Sequence, residues 1–134
     1  MSDTSLINNI TYELEDLKQY IISEVGVNCY VGMRDHGSSD YPMIEMSIQD
    51  DIEQFHQNGK LNFVNIPVNL KIISARKEEI ETLETYEKLI KYINLYKRHK
   101  GHQFTESSTA EYTENTYEIT VTYYMKIKIQ NETL

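Results

Sequence analysis

The chain has 134 residues, of which 40% are hydrophobic and 25% are charged, and its formal net charge is −8 at pH 7. This length and composition are typical of a folded protein and argue against an intrinsically disordered one. The negative charge argues against a protein that binds duplex DNA through a basic surface. We therefore expect one globular domain over residues 1–134, long enough to bury a hydrophobic core.

The charge is unevenly distributed along the chain. Residues 1–58 hold 11 acidic residues, with Lys18 and Arg34 as their only bases, whereas residues 59–134 hold 10 acidic and 11 basic residues. One half of the chain is therefore acidic and the other is balanced. This asymmetry favours either a solvated acidic surface or a surface that meets a basic partner.

The sequence predicts neither a membrane span nor a secretory leader. No apolar run is long enough to cross a bilayer, and no basic-then-apolar segment opens the chain. The single cysteine, Cys29, cannot form an intrachain disulfide and provides no metal or redox motif by itself. Synthesis in the cytoplasm is the expectation.

The first part of the chain predicts a helix followed by two short strands. The segment SLINNITYELEDLKQYIISEVG is typical of an amphipathic helix that stops at Gly26, because its apolar residues recur at spacings of three and four. Residues 27–33 predict a first strand, and the turn-rich residues 34–42 predict a loop. Alternation of apolar and polar side chains over residues 43–49 predicts a second strand.

A hairpin and a third strand are expected next. Residues 50–60 form a polar cluster that ends in Asn58-Gly59, a strong hairpin signal. Residues 63–75 alternate apolar and polar side chains and predict a long strand. Pro67 has no N–H group to donate, so we expect this strand to lie at a sheet edge or to contain a bulge at that point.

Residues 76–101 predict the second helix. Acidic residues crowd its first half and basic residues its second half, an arrangement that complements the helix dipole. The apolar stripe expected to face the core consists of Ile80, Leu83, Tyr86, Leu89 or Ile90, Ile93 and Tyr96. Residues 102–115 are polar and predict either a loop or a weakly paired edge strand.

The closing segment TYEITVTYYMKIKI, residues 116–129, alternates without interruption and predicts the last strand. The members of its apolar parity, which we expect to face the core, are Tyr117, Ile119, Val121, Tyr123, Met125, Ile127 and Ile129. The opposite parity consists of Glu118, Thr120, Thr122, Tyr124, Lys126 and Lys128. Threonine and tyrosine suit a pleated surface that pairs or packs against another element.

These elements predict an α+β fold. We expect a single mixed sheet of about four strands with two helices packed on one face, in the order α-β-β-β-α-β. The helix between the third and last strands implies a crossover, which is right-handed if those strands are parallel.

Two histidines at the end of the second helix could suggest a metal site. His99 and His102 have a spacing compatible with two zinc ligands, but no further pair of cysteines or histidines follows nearby. We expect them to add positive charge at the helix C-terminus instead. No metal or cofactor is predicted.

The residues that could be drawn into a catalytic site do not form a recognised motif. His36 lies with Asp35 and Asp40 in a polar loop, and Cys29 lies close in sequence. A catalytic reading needs a base within hydrogen-bond reach of the nucleophile and an oxyanion donor, and no motif supplies either. The glycines form no phosphate-binding pattern. We therefore expect a protein that is not an enzyme.

The chain contains 11 tyrosines and no tryptophan. Tyrosine buries a large area at low entropic cost and is enriched at interfaces. Tyr124, on the polar parity of the last strand, and Tyr112 before it are placed for such a role. An AT-rich genome, which raises the content of Tyr, Ile, Asn and Lys together, is the alternative explanation.

Across nearly its whole length the chain resembles the tail terminator, or tail completion, proteins of long-tailed bacteriophages. The resemblance lies in chain length, in the order of the predicted elements and in the general pattern of the sequence, and no catalytic motif contributes to it. The segments that carry it are INNITYELEDLKQYI, IPVNLKIISARK, EEIETLETYEKLIKYINLYK and TYEITVTYYMKIKI.

The resemblance implies a structural role in the virion. Proteins of this family form hexameric rings that cap the tail tube, end its polymerisation and join the tail to the neck of the head. The implied partners are further copies of the chain, the tail tube protein and a neck protein. Genome DNA would pass through the lumen without specific binding, and a net-negative protein suits such a conduit. A late viral protein assembled in the host cytoplasm is implied.

Such a hexameric ring needs a large heterologous interface. We expect it on the polar parity of the last strand, in the loop 34–42 and in the segment 50–60. The residues expected at these contacts are Arg34, Asp35, His36, Asp50, Asp51, Glu53, Glu118, Thr120, Thr122, Tyr124, Lys126 and Lys128. We also expect residues 102–115 to become ordered on assembly.

Two other functions remain open from the sequence. A head–tail connector protein of the neck would share a small α+β fold. A small regulatory or ligand-binding α+β domain would work as a dimer.

Overall fold

The computed structural model describes residues 2–32, 36–48 and 51–128. Within these residues the chain forms two α-helices and six strands. In chain order they are α1 (Ser2–Val25), β1 (Asn28–Val31), β2 (Met43–Ser47), β3 (Glu53–Gln57), β4 (Lys60–Ala75), α2 (Glu79–Lys100), β5 (Gln103–Tyr112) and β6 (Thr116–Lys128). The α+β class, the two helices and the mixed sheet are confirmed. The expected strand number of about four and the order α-β-β-β-α-β are wrong.

One sheet contains all six strands, in the order β1-β2-β4-β6-β5, and β3 pairs with β4. β1 and β2 are parallel, and every other pair is antiparallel. β3 pairs with the β4 residues that precede those paired with β2, so the two short strands follow one another along the same edge of β4. Because β4 and β6 are antiparallel, the handedness rule for parallel crossovers does not apply to α2.

The two strands absent from the expected order are those with the weakest apolar pattern. All five residues of β3 are exposed, so no hydrophobic alternation marks it. It is held in place by the turn at Asn58-Gly59, whose φ angles of 56° and 76° are those of a tight hairpin turn. The hairpin prediction is confirmed. β5 pairs with β6 alone, which is the edge-strand alternative for residues 102–115.

Pro67 lies inside the sheet but at a local gap in the pairing. On one side of β4, Pro67 is opposite Tyr124 of β6. On the other side, pairing with β2 reaches Asn69 and pairing with β3 reaches Asn65. The proline therefore occupies a point where one side of β4 is an edge, as the missing N–H group requires.

The hydrophobic core lies between one face of the sheet and the two helices. Alternate residues of β4 and β6 are buried together with side chains of β1, β2, α1 and α2 in one cluster. Its largest fully buried members include Leu17 and Ile21 of α1, Leu89 and Ile93 of α2, and Tyr123 of β6. Burying a leucine or isoleucine contributes about 1.5–3 kcal/mol, so this face fixes both helices on the sheet.

The stripe expected for α2 is wrong in its first half. Ile80 and Leu83 are 69% and 37% exposed, while Thr82 and Thr85 face the core. The two threonine hydroxyls donate to the carbonyl oxygens of Glu78 and Glu81 at 2.9 and 3.0 Å, so their burial leaves no polar group unpaired. In the second half of the helix, Leu89, Ile93 and Tyr96 are buried as expected.

The opposite face of the sheet is buried at one end and exposed at the other. Met43 of β2 and Ile73 of β4 are paired neighbours on the parity that points away from the helices, and both are buried. Glu118 of β6 pairs with Ile73 and is buried beside them. Lys126 and Lys128, at the other end of β6, are exposed. We call this surface the open face.

Within the part of the chain that the structure describes, neither helix is both long and apolar enough to cross a membrane.

The hairpin turn gives a direct test of the pairing between β3 and β4. Gly59 has a φ of +76°, a conformation that costs an L-residue about 1 kcal/mol. Gly59→Ala should therefore lower the free energy of unfolding by about that amount, measured by urea denaturation. Gly37→Ala is the matched control, because its φ is ordinary and no atom lies within 4 Å of an added Cβ. Equal effects of the two substitutions would contradict the hairpin geometry.

Candidate functional site

The open face carries the residues that the sequence singles out on β6. They differ in exposure along the strand, from buried Glu118 through half-buried Thr120, Thr122 and Tyr124 to exposed Lys126 and Lys128. The face therefore has a closed end, near Glu118, and an open end, near Lys128. The two ends have different roles.

Glu118 is held within the subunit. Its Oε2 accepts a hydrogen bond of 2.7 Å from the Thr116 hydroxyl, and its Oε1 lies 3.7 Å from Lys71 Nζ. Only 8% of Glu118 is exposed. Burial raises the pKa of Tyr41, and the nearby carboxylates of Glu118 and Asp40 raise it further, which places the loop before β2 close to this end. Glu118 therefore stabilises the subunit rather than presenting a free carboxylate to a partner.

The middle of the open face is polar and half-buried. The Thr122 hydroxyl donates a hydrogen bond of 3.1 Å to Asn69 Oδ1 on the neighbouring strand. Tyr124 lies opposite Pro67, at the point where β4 lacks a partner on its other side. Side chains of this type make a flat surface with both hydrogen-bonding groups and aromatic area, which is the composition that protein interfaces favour.

The open end combines aromatic and basic side chains. The aromatic rings of Phe55 and Phe63 stack with centroids 4.6 Å apart and an interplanar angle of 15°. Lys126 Nζ lies 4.3 Å from the centroid of Phe63, and Lys128 is opposite Phe63 in the ladder. Phe55 is 40% exposed. We call Phe55, Phe63, Lys126 and Lys128 the aromatic patch.

Sequence reasoning missed the two phenylalanines of the aromatic patch. The sequence does give a signal for Phe63, because Phe63 falls on the polar parity of β4, which faces away from the core. Phe55 lies in a segment with no alternation, and only its register against Phe63 brings it to the same surface. The two lysines of the patch were expected at an interface.

The remaining sequence-predicted interface residues lie in different places. His36 is half-buried, with its Nδ1 2.6 Å from the Tyr41 hydroxyl, in the loop near the closed end. Asp51 and Glu53 are exposed. Glu53 is opposite Asn65, whose other neighbour is Lys126, so it joins the open end. Arg34, Asp35 and Asp50 lie outside the described residues.

A polar cluster joins α1 to α2 on the helix side. The Tyr96 hydroxyl donates a hydrogen bond of 2.6 Å to Asp16 Oδ2, and Lys100 Nζ lies 3.3 Å from the same oxygen. Lys100 also lies 3.5 Å from Glu13 Oε2. The Tyr96 hydrogen bond is the main cause that lowers the pKa of Asp16, with Lys100 adding to it against the effect of burial. These contacts fix the antiparallel packing of the helices.

His102 lies inside the structure and is not a cationic side chain at the helix C-terminus, as had been expected. It is buried, with its Nδ1 2.7 Å from the Tyr123 hydroxyl. Burial, with a smaller contribution from Lys100, lowers the pKa of His102 to about 4, so the imidazole is neutral at pH 7. The expectation that His102 adds positive charge at the helix C-terminus is wrong, because desolvation disfavours the charged form. His99 is exposed.

Two observations bear on the metal and catalytic sites that were considered from the sequence. Among the described residues, no group of three or more His, Cys, Asp and Glu side chains could hold a metal ion. Cys29 is buried in the helix-side core, and burial raises its pKa to about 12, so the reactive thiolate is not available at neutral pH. The open face, with its aromatic patch, is therefore the surface that we consider functional.

No known protein-family model matches this sequence, and a search of curated proteins finds no match.

The buried histidine predicts how stability depends on pH. The folded-state pKa of about 4 lies below the ordinary value of 6.5, so the unfolded chain binds more protons between these values. Stability should be complete above about pH 6.5 and fall as the pH is lowered toward 4. His102→Gln should flatten this dependence, measured by urea denaturation across the range.

His56→Gln is the matched control for this experiment, because His56 is an exposed histidine on β3. It should leave the pH dependence unchanged. A wild-type slope that persists in His102→Gln would show that His102 is not the group responsible.

Proposed function

We propose that this protein is a structural component of a bacteriophage tail. It assembles into a hexameric ring that caps the tail tube, ends its polymerisation and joins the tail to the neck and head. The observation that carries the proposal is the open face, where half-buried Tyr124 and the aromatic patch lie on the side of the sheet away from the helix-side core. The resemblance in sequence to tail terminator proteins supplies the biological setting.

The open face has the size that an assembly contact needs. β4 has 16 residues and β6 has 13, and they run side by side over almost their whole lengths. A strand of 13 residues spans roughly 43 Å at about 3.3 Å per residue. Specific interfaces bury about 800 Å² on each partner, which a surface of this length can supply.

The composition of the open face also supports an assembly role. Aromatic residues are enriched at protein interfaces, and stacked aromatic rings act as rigid anchors there. The stacked Phe55 and Phe63 beside Lys126 form such an anchor. The candidate nucleophile and base of a catalytic site are instead engaged or buried, since His36 contacts Tyr41 and Cys29 lies in the core. Binding is therefore better supported than catalysis.

The net charge of −8 suits the conduit role. A hexameric ring whose lumen carries acidic side chains would not retain the phosphates of passing DNA. The tail tube protein and a neck protein are the proposed partners at the two rims. Assembly in the host cytoplasm and residence at the tail–neck junction of the virion follow from this role.

The assembled mass tests the proposal. The wild-type protein should form a species of about six subunits, alone or on tail tubes, in size-exclusion chromatography with light scattering. The double variant Thr122→Glu/Tyr124→Glu should keep its circular dichroism spectrum and weaken assembly at least tenfold, because charges would replace the middle of the open face.

Ile22→Glu/Leu95→Glu is the matched control, because it places the same two acidic groups at exposed positions on α1 and α2. It should assemble as the wild type does. A wild-type protein that stays a dimer and holds a small ligand would contradict the proposal and favour a regulatory or ligand-binding domain.

A further inference from the structure

A second surface of the molecule has properties that complement the aromatic patch. On the outer side of α2, Ile80 and Leu83 are exposed next to Glu84 and Glu87. Their spacing of three, one and three residues places them on one stripe of the helix. We call these four residues the helix patch. It is apolar and acidic, whereas the aromatic patch is apolar and basic.

The helix patch points away from the sheet. The residues of α2 that face the core are Thr82, Thr85, Leu89, Ile93 and Tyr96. At 100° per residue, the centre of the helix patch lies on the side of the helix opposite to these residues. The exposed Ile80 and Leu83 are therefore not displaced core residues. They form a separate apolar surface on the outer side of α2.

Two lysines that follow on α2 leave the acidic character of the helix patch in place. A Cβ on Gly26 would lie 4.0 Å from Lys88 Nζ, so Lys88 extends toward the end of α1. Lys91 Nζ lies 5.3 Å from the centroid of the Tyr92 aromatic ring. Among the described residues, neither ammonium group lies within ion-pair distance of Glu84 or Glu87, so both carboxylates remain open to a partner.

The two patches cannot meet within one subunit. The helix patch is in the first half of α2, near the end of the sheet where Ala75 pairs with Thr116. The aromatic patch is at the other end, where Phe63 pairs with Lys128, and on the face away from the helices. α2 has 22 residues and spans roughly 33 Å at about 1.5 Å per residue. The patches are therefore at opposite ends and on opposite faces.

We propose that the helix patch of one copy docks on the aromatic patch of the next copy. Glu84 and Glu87 would pair with Lys126 and Lys128, while Ile80 and Leu83 would cover the exposed edge of Phe55. This proposal depends on the ring of the proposed function and identifies the two surfaces that close it. The occupant is a second copy because one chain supplies both complementary surfaces.

The arrangement of the patches determines the type of symmetry. A contact between two different surfaces of identical subunits is heterologous, and it generates a closed ring or an open helical filament. In a two-fold dimer, residue i of each copy meets residue j of the other, so both patches would have to lie on one surface. Because the patches lie on opposite faces, a dimer that used only one of them would bring like charges together, and the arrangement favours a ring.

Charge reversal tests the proposed contact. Glu84→Lys/Glu87→Lys makes both patches basic, and Lys126→Glu/Lys128→Glu makes both acidic. Each variant alone should lose at least nine-tenths of the hexameric ring in native mass spectrometry at about 0.05 M salt, where exposed charges are weakly screened. An equimolar mixture should recover hexamers with three copies of each variant, because every contact would then join an acidic surface to a basic one.

Two controls accompany this experiment. The chain that carries all four reversals should assemble by itself, since its patches are again complementary and its net charge equals that of the wild type. Arg76→Glu/Lys77→Glu changes the net charge as much as Lys126→Glu/Lys128→Glu but lies outside both patches, and it should assemble normally. Circular dichroism and urea denaturation show that each variant is folded.

The outcomes separate this inference from the proposed function. A wild-type ring with no loss in either variant, or with losses that the mixture does not recover, would overturn the docking inference and leave the ring itself standing. A wild-type chain that forms no ring under any condition, including on tail tubes, would overturn the proposed function.

Discussion

The antiparallel ladder between β4 and β6 is the constraint on which the rest of the structure depends. Residues Phe63–Ala75 pair in continuous register with Thr116–Lys128. The side chains of one parity of both strands therefore face the helices, and those of the other parity lie on the open face. A slip of one residue would exchange the two sets, exposing the core and burying the lysines. Burial of the hydrophobic side chains on the helix side opposes such a slip. The same register brings the residues of the aromatic patch together.

The placement of α2 on this ladder explains why apolar side chains are exposed on the helix side of the subunit as well as on the open face. Threonines with hydroxyls bonded to helix carbonyl oxygens occupy the core side of its first half. Ile80 and Leu83 are consequently turned outward, where they lie among acidic residues. The sheet ends on its far side in aromatic and basic residues. In the proposed assembly these two surfaces meet between copies, and the rotation between copies would decide how many of them close the ring.

The sequence predicted the parts of the fold that hydrophobic periodicity governs. Both helices, the long strands β4 and β6 and the turn at Asn58-Gly59 follow from local patterns. β3 was not predicted, because all its residues are exposed and only its pairing with β4 defines it. The orientation of α2 was predicted half wrongly, since periodicity does not show that threonine can replace isoleucine in the core. At the candidate site, the β6 lysines were expected, but Phe55 needed the register of the sheet.

The most direct test of the account is a zero-length carbodiimide cross-link between copies of the wild-type protein. Such a reagent joins a carboxylate directly to an amine, without a spacer, so a link shows that the two groups were in contact. In an assembled sample of mixed light and heavy isotope-labelled chains, we expect peptides in which Glu84 or Glu87 is joined to Lys126 or Lys128 of a differently labelled copy. Assembled hexamers that contain no such link, or that link these residues only within one chain, would contradict the account.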